Sequence, residues 1–232
     1  RQVDPSLRPF SEGADLPLHR TVEGGRLYGA HQTLEKPVRA VLLEGCYDYD
    51  IQAAMPTLVL QSVARAAGLN WREAFPTWAL YLGSRAVFRE NLAQRLNITV
   101  KQAKEVFQGM FDLRKFDGGR GGISAVIGVE KCKTAMDDAV LSKLRAEAAA
   151  AWKMVDLHGK ADGAGRFAYY EQVEQQVMTT IYDIASEHGI RYWPFHDGFT
   201  LLDGRRIVDR AAFCCLIQDR TGMMILLDES RL

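Results

Sequence analysis

Two short segments place acids where chemistry could be done. YDYD, residues 47–50, ends an apolar run on Asp48 and Asp50, and FHDGF, residues 195–199, sets His196 and Asp197 between two apolar runs. Asp-Gly between such runs predicts a tight hairpin, with Asp197 at or beside its turn. Asp48 and Asp50 lie two apart, on one face of a strand. Two converging carboxylates beside a basic face suit a divalent cation held by oxygen. Magnesium fits because it keeps several waters and takes only one or two protein carboxylates together with phosphate oxygens. The histidines show no HExxH spacing and Cys46, Cys132, Cys214 and Cys215 no CxxC. A zinc site is therefore not expected, and the cysteines read as buried free thiols.

The elements that must position these acids can be read from periodicity. VRAVLLEGCYDYD, residues 38–50, predicts a strand, strongest at Ala40–Leu43 and Cys46–Tyr49. Pro56 suits a helix start, with Leu58, Leu60, Val63 and Ala67 on one face and Gly68 as its stop. Asn97 and Thr99 offer caps for VKQAKEVFQGMF, where Val100, Ala103, Phe107 and Met110 form a core face and Lys101, Lys104 and Gln108 another. A glycine-rich loop, FDGGRGGIS, follows, and then an alanine-rich helix over about 137–158. A helix over about 169–188 carries Val173, Val177, Ile181 and Ile184 on one face. After the FHDGF hairpin, a helix from about Arg206 to Gln218 and a late strand in TGMMILLD complete the pattern. The first twenty residues, with two prolines and no period, read as an irregular arm.

Composition narrows the class. The chain has 232 residues, 47% hydrophobic, with 29 basic and 29 acidic side chains, so it can bury a core and its whole surface is not a nucleic-acid footprint. Residues 85–133 are locally basic, with Arg85, Arg89, Arg95, Lys101, Lys104, Arg114, Lys115, Arg120, Lys131 and Lys133 against five acids, as a solvated helical surface or a phosphate-tracking groove would be. With no apolar run of membrane-spanning length and no signal-like start, a soluble intracellular setting is expected. GGRGG lacks the strand before it and the Lys-Ser/Thr after it that a P-loop needs, and reads as a connector.

In order and spacing the motifs resemble the palm of template-directed nucleic-acid polymerases. They are closest to family A DNA polymerases and their single-subunit phage-type RNA polymerase relatives. GGRLYG at 24–29 resembles the Gly-Arg motif upstream of the palm, YDYDIQAAMPTLVLQ resembles motif A, AKEVFQGMF at 103–111 motif B, and FHDGF motif C. DIQAAMPTLV also looks like the motif A of family B enzymes, which carry a proline at the same offset. The resemblance covers about residues 24–228. Motif B departs from the family: Val100 stands where an arginine is usual, with Lys101 one position away as a substitute, and Asp112 and Leu113 replace a Tyr-Gly.

The resemblance implies an α+β fold, a palm-like antiparallel sheet with packed helices and a reduced helical fingers region. Residues 1–23 would form an N-terminal arm and 24–232 a compact palm with fingers-like helices inserted at about 70–160. It implies a nucleotidyltransferase in which Asp50 and Asp197, with Asp48 as a further ligand, hold two magnesium ions, manganese being an alternative. Lys104, Lys101 and Gln108 would meet the nucleoside triphosphate. Arg26 and His196 would touch the primer–template. Met55, five residues after Asp50, would stand near the sugar 2′ position and favour deoxynucleotides. DNA synthesis is the first expectation, and RNA polymerase or primase-like synthesis the alternative. A palm-like module that binds nucleic acid without catalysis is the alternative of another class. Such a chain is also compatible with a phage or mobile-element origin.

Overall fold

The computed structural model describes residues 18–20, 27–29, 32, 34–117, 119, 121–155, 163–202 and 204–232. Its elements run β1 (Leu18–Arg20), β2 (Leu27–Gly29), α1 (Lys36–Leu42), β3 (Tyr47–Ile51), α2 (Ala54–Ala66), α3 (Trp71–Ala74), α4 (Pro76–Gly83), α5 (Arg85–Leu96) and α6 (Val100–Phe111). They continue through α7 (Ile123–Ile127), α8 (Val129–Met136), α9 (Ala139–Met154), α10 (Gly163–Glu187), β4 (Tyr192–Pro194), β5 (Gly198–Leu201), α11 (Arg210–Thr221) and β6 (Leu227–Arg231). The class is α+β, with a four-stranded antiparallel sheet in the order β4-β5-β3-β6. The chain divides into two compact units, residues 1–58 with 170–232, and residues 59–169. Among the described residues no helix is long and apolar enough to cross a membrane.

The first unit is built on the sheet. Alternation along β3 turns Tyr49 and Ile51 inward, both almost fully buried, and leaves Asp48 and Asp50 on the opposite face. Tyr49 pairs in register with Phe199 of β5, and the two rings stack at 5.3 Å. On α10, Val173, Val177, Ile181 and Ile184 are buried as their spacing predicts.

The second unit is all helical among its described residues and is packed on aromatic rings. Trp78 meets Tyr81 and Phe111 edge-on at 5.4 and 5.1 Å, and Tyr81 stacks on Phe107 at 4.4 Å. The buried indole nitrogens are satisfied: Trp78 Nε1 donates to Leu144 O and Trp152 Nε1 to Phe111 O. Pro76 opens α4, and the carboxylate of Glu147 accepts from the N–H groups of Thr77 and Trp78, both at 3.0 Å.

Several expectations are corrected. Residues 36–42 are helix, not strand, because Pro37 sits in the first turn of α1 and the extended run begins only at Tyr47. The helix expected from Arg206 starts at Arg210, where the Asp209 side chain accepts from Ala212 N as its cap. The late strand begins at Leu227, the residue that pairs with Ile51. Leu18–Arg20, expected to be irregular, pairs antiparallel with Leu27–Gly29. Val100 is 49% exposed at the first position of α6, and Val106 takes its place in the buried face. Of the four free cysteines, Cys215 is exposed.

Candidate metal site

Register brings the two acid segments together. Asp50 of β3 lies opposite Gly198 of β5, and Ile51 N donates to the carbonyl of Asp197 at 2.8 Å. The residue after one candidate ligand is thus bonded through the backbone to the other. The hairpin closes with Phe195 N donating to Gly198 O at 2.9 Å, leaving His196 and Asp197 as its two central residues. Neither has positive φ, and Gly198 does not either. The turn is therefore not the Asn-Gly type that Asp-Gly suggests, which needs left-handed central residues.

Gly198 is required for space instead. A Cβ there would stand 2.4 Å from Asp50 Oδ1 and 2.4 Å from the Tyr49 carbonyl oxygen. The missing side chain is what lets the Asp50 carboxylate lie against the hairpin.

The acid face is a pair of rows across the sheet. One runs Gly198, Asp50, Asp228 and the next Thr200, Asp48, Ser230, from β5 through β3 to β6. Asp50 is exposed, and Asp197 is half-buried. Asp48 is also half-buried and accepts from Thr200 Oγ1 at 2.7 Å. Burial pushes its carboxyl up from the ordinary value. The Thr200 hydrogen bond and the Arg39 charge pull it partly back, and the nearby Asp197 charge adds to the rise. Of the two acids on β3, Asp48 is half-buried and bonded to Thr200, and Asp50 is exposed beside the hairpin.

A cation between Asp50 and Asp197 would be only partly held by protein. Among the described residues no three His, Cys, Asp or Glu side chains form a group able to hold a metal. A pair of carboxylates with solvent access matches magnesium, which completes its shell with water and phosphate oxygen.

The remaining expected site residues fall as follows. His196 is exposed at the hairpin tip, and Met55 is half-buried in the first turn of α2, after a turn in which Ala53 takes a left-handed φ of 46°. Lys101, Lys104 and Gln108 are exposed together along α6 in the helical unit. That helix starts on a capping box: Thr99 Oγ1 accepts from Gln102 N, and Gln102 Oε1 from Thr99 N. In the turn after this helix, arginines take the backbone carbonyls. Leu113 has φ 57°, Arg145 donates to Leu113 O and Arg114 O, and Arg166 donates to Asp112 O. Arg26 lies outside the described residues, as do Gly118 and Arg120 of GGRGG and Asp203.

Sequence reasoning did not single out Thr200, Arg39 or Asp228, and it read Gly198 only as turn chemistry. Asp228 faces Asp50 across the sheet and accepts from Gln52 Nε2 at 2.6 Å. Its signal was the acid ending TGMMILLD, which gains meaning only from register. No protein-family model matches the chain, and no curated protein matches it.

Proposed function

We propose that the chain is a template-directed nucleotidyltransferase with a palm-like sheet, extending a 3′-hydroxyl with nucleoside triphosphates. The observation that carries this reading is the pairing of Asp50 and Asp197 through the Ile51–Asp197 backbone bond, at the end of one strand and the tip of the adjoining hairpin. In this reading the two carboxylates hold magnesium, which would lower the pKa of the attacking hydroxyl and steady the leaving oxygens. The 3′-oxygen attacks the α-phosphate, and pyrophosphate leaves with the electron pair of the broken P–O bond. The chain needs no protein nucleophile. It supplies position and charge: Asp50 and Asp197 for metal, Lys104 with Lys101 for the β and γ phosphates, and Gln108 beside them. His196 and Arg26 are assigned to nucleic acid. Met55 disfavours a 2′-hydroxyl, so deoxynucleotides are the proposed substrate.

The test is incorporation into a labelled primer–template with magnesium or manganese and either deoxynucleotides or ribonucleotides. Asp197→Asn and Asp50→Asn are each expected to lower incorporation by about a thousandfold or more, since each removes a metal ligand, while circular dichroism stays unchanged. Full activity of Asp197→Asn would overturn the reading. Binding of primer–template without incorporation under any metal or nucleotide would replace it with a non-catalytic module.

A further inference from the structure

Arg39 is placed oddly for a structural arginine. It lies on α1, half-buried, and its Nε is fully buried with no hydrogen-bond acceptor among the described residues. Its guanidinium stands over the ring of Phe195, 5.4 Å from the centroid, two residues before Asp197. The same short stretch is fixed from two other directions. Gln32 Nε2 donates to Pro194 O at 2.8 Å, and Tyr182 of α10 donates its hydroxyl hydrogen to Phe195 O at 3.3 Å. Beside it Leu43, Cys46 and Trp193 form a small buried cluster that Phe195 and Leu202 join.

For packing alone, a leucine or methionine would serve against Phe195 and would bury no polar group. A guanidinium N–H removed from water without an acceptor is a cost that needs an offsetting gain. That gain is available on the acid face. Trp193 lies in the row of Thr200 and Asp48, and Phe195, two residues further on, lies beside Gly198 and Asp50, so the guanidinium over Phe195 stands on the face that carries both acids. Like charges held near one another across a strand pair weaken it unless a cation intervenes.

We propose that Arg39 is a positioning residue, the resident cation of the acid face, which steadies Asp48 and the Asp197 hairpin when no divalent ion does and competes with that ion for the carboxylates. The proposal deepens the two-carboxylate reading and rests on it for the role of metal. It separates Arg39 from a simple packing residue, because its effect must depend on the acids and be kept by lysine.

A double-mutant cycle in chelator-containing buffer tests the charge, using urea unfolding of the wild type, Arg39→Met, Asp48→Asn and the double variant. Arg39→Met is expected to raise the unfolding equilibrium constant about tenfold more in the wild-type background than in Asp48→Asn. Equal effects in the two backgrounds would overturn the proposal. Titration with Mn2+, followed by the electron paramagnetic resonance of the free ion, tests the competition. Arg39→Met should bind Mn2+ about three to tenfold more tightly, with Arg39→Lys close to wild type. Unchanged or weaker binding in Arg39→Met, or a lysine variant that behaves like methionine, would also overturn it. A wild type that binds no Mn2+ would instead remove the metal reading of the site, and the cycle would still decide on Arg39.

Discussion

The sheet unit holds eighteen acids against twelve lysines and arginines, and the helical unit seventeen lysines and arginines against eleven acids. The chain is neutral only as a sum. The two regions also spend their polar groups differently. In the helical unit acids and arginines close helix ends, as Glu147 does at α4 and Arg145 and Arg166 do after α6. In the sheet unit Asp48, Asp50 and Asp228 stand on one face of adjoining strands, an arrangement that costs repulsion and gives the fold no cap in return. Charge that stabilises its own backbone reads as architecture, and charge gathered against its own kind reads as a place for something else to bind.

Two glycines allow that contrast to be broken. A Cβ on Gly198 would meet the Tyr49 carbonyl and the Asp50 carboxylate at 2.4 Å, and one on Gly109 of α6 would meet Ile123 Cδ1 at 2.3 Å. The distances are alike, but the neighbours are not. The backbone of a central strand cannot give way, so Gly198→Ala should cost about 3 kcal/mol, read as a fall in urea midpoint, and should lower primer extension by moving Asp50 off the hairpin. Wild-type stability in that variant would mean that the hairpin is loose against β3.

Glu147→Ala should come next. It leaves the N–H groups of Thr77 and Trp78 without their acceptor, a loss of about 1–2 kcal/mol. Metal affinity should not change, because the residue closes a helix in the basic unit. A change in Mn2+ binding would show that the two units do not divide the work as proposed. Gly109→Ala is expected to be smaller still, below about 1 kcal/mol, since the end of the Ile123 side chain can turn aside and alanine favours the helix. A loss as large as that of Gly198→Ala would erase the distinction between the two glycines.

These particular residues also mark what was legible in the sequence. YDYD, FHDGF and the Thr99 cap each announce themselves within a few residues, because alternation, turn chemistry and capping are local. The strand expected at Ala40–Leu43 failed for a local reason too: a short apolar run fits either period, and Pro37 decided for helix. Gly198 was read correctly as a turn neighbour but for the wrong cause, since its role depends on a carboxylate almost 150 positions upstream. Thr200 beside Asp48, Asp228 beside Asp50 and Arg39 over Phe195 are set by cross-strand register and by packing onto the hairpin. Nothing near them in the chain carries that information.

One further predicted effect concerns the other face of the sheet. Tyr49 donates to Glu229 at 2.9 Å and accepts from Ile207 N at 3.0 Å, and Glu229 is held in turn by Arg206. Burial above all pushes the Tyr49 hydroxyl up to about 12; the Ile207 bond pulls it back in part, and Glu229 adds to the rise. The unfolded chain therefore loses this proton first. The contribution of the hydroxyl is fully present below pH 10 and is lost as pH rises through about 12. Tyr49→Phe should be less stable than wild type by about 1 kcal/mol at neutral pH, with the gap narrowing across that window in paired urea titrations. Mn2+ affinity at neutral pH should be the same in both proteins, because the hydroxyl points away from Asp48 and Asp50. A shift in metal binding would mean that the two faces of β3 are coupled, and that the acid face draws on the Tyr49–Glu229–Arg206 network for its geometry.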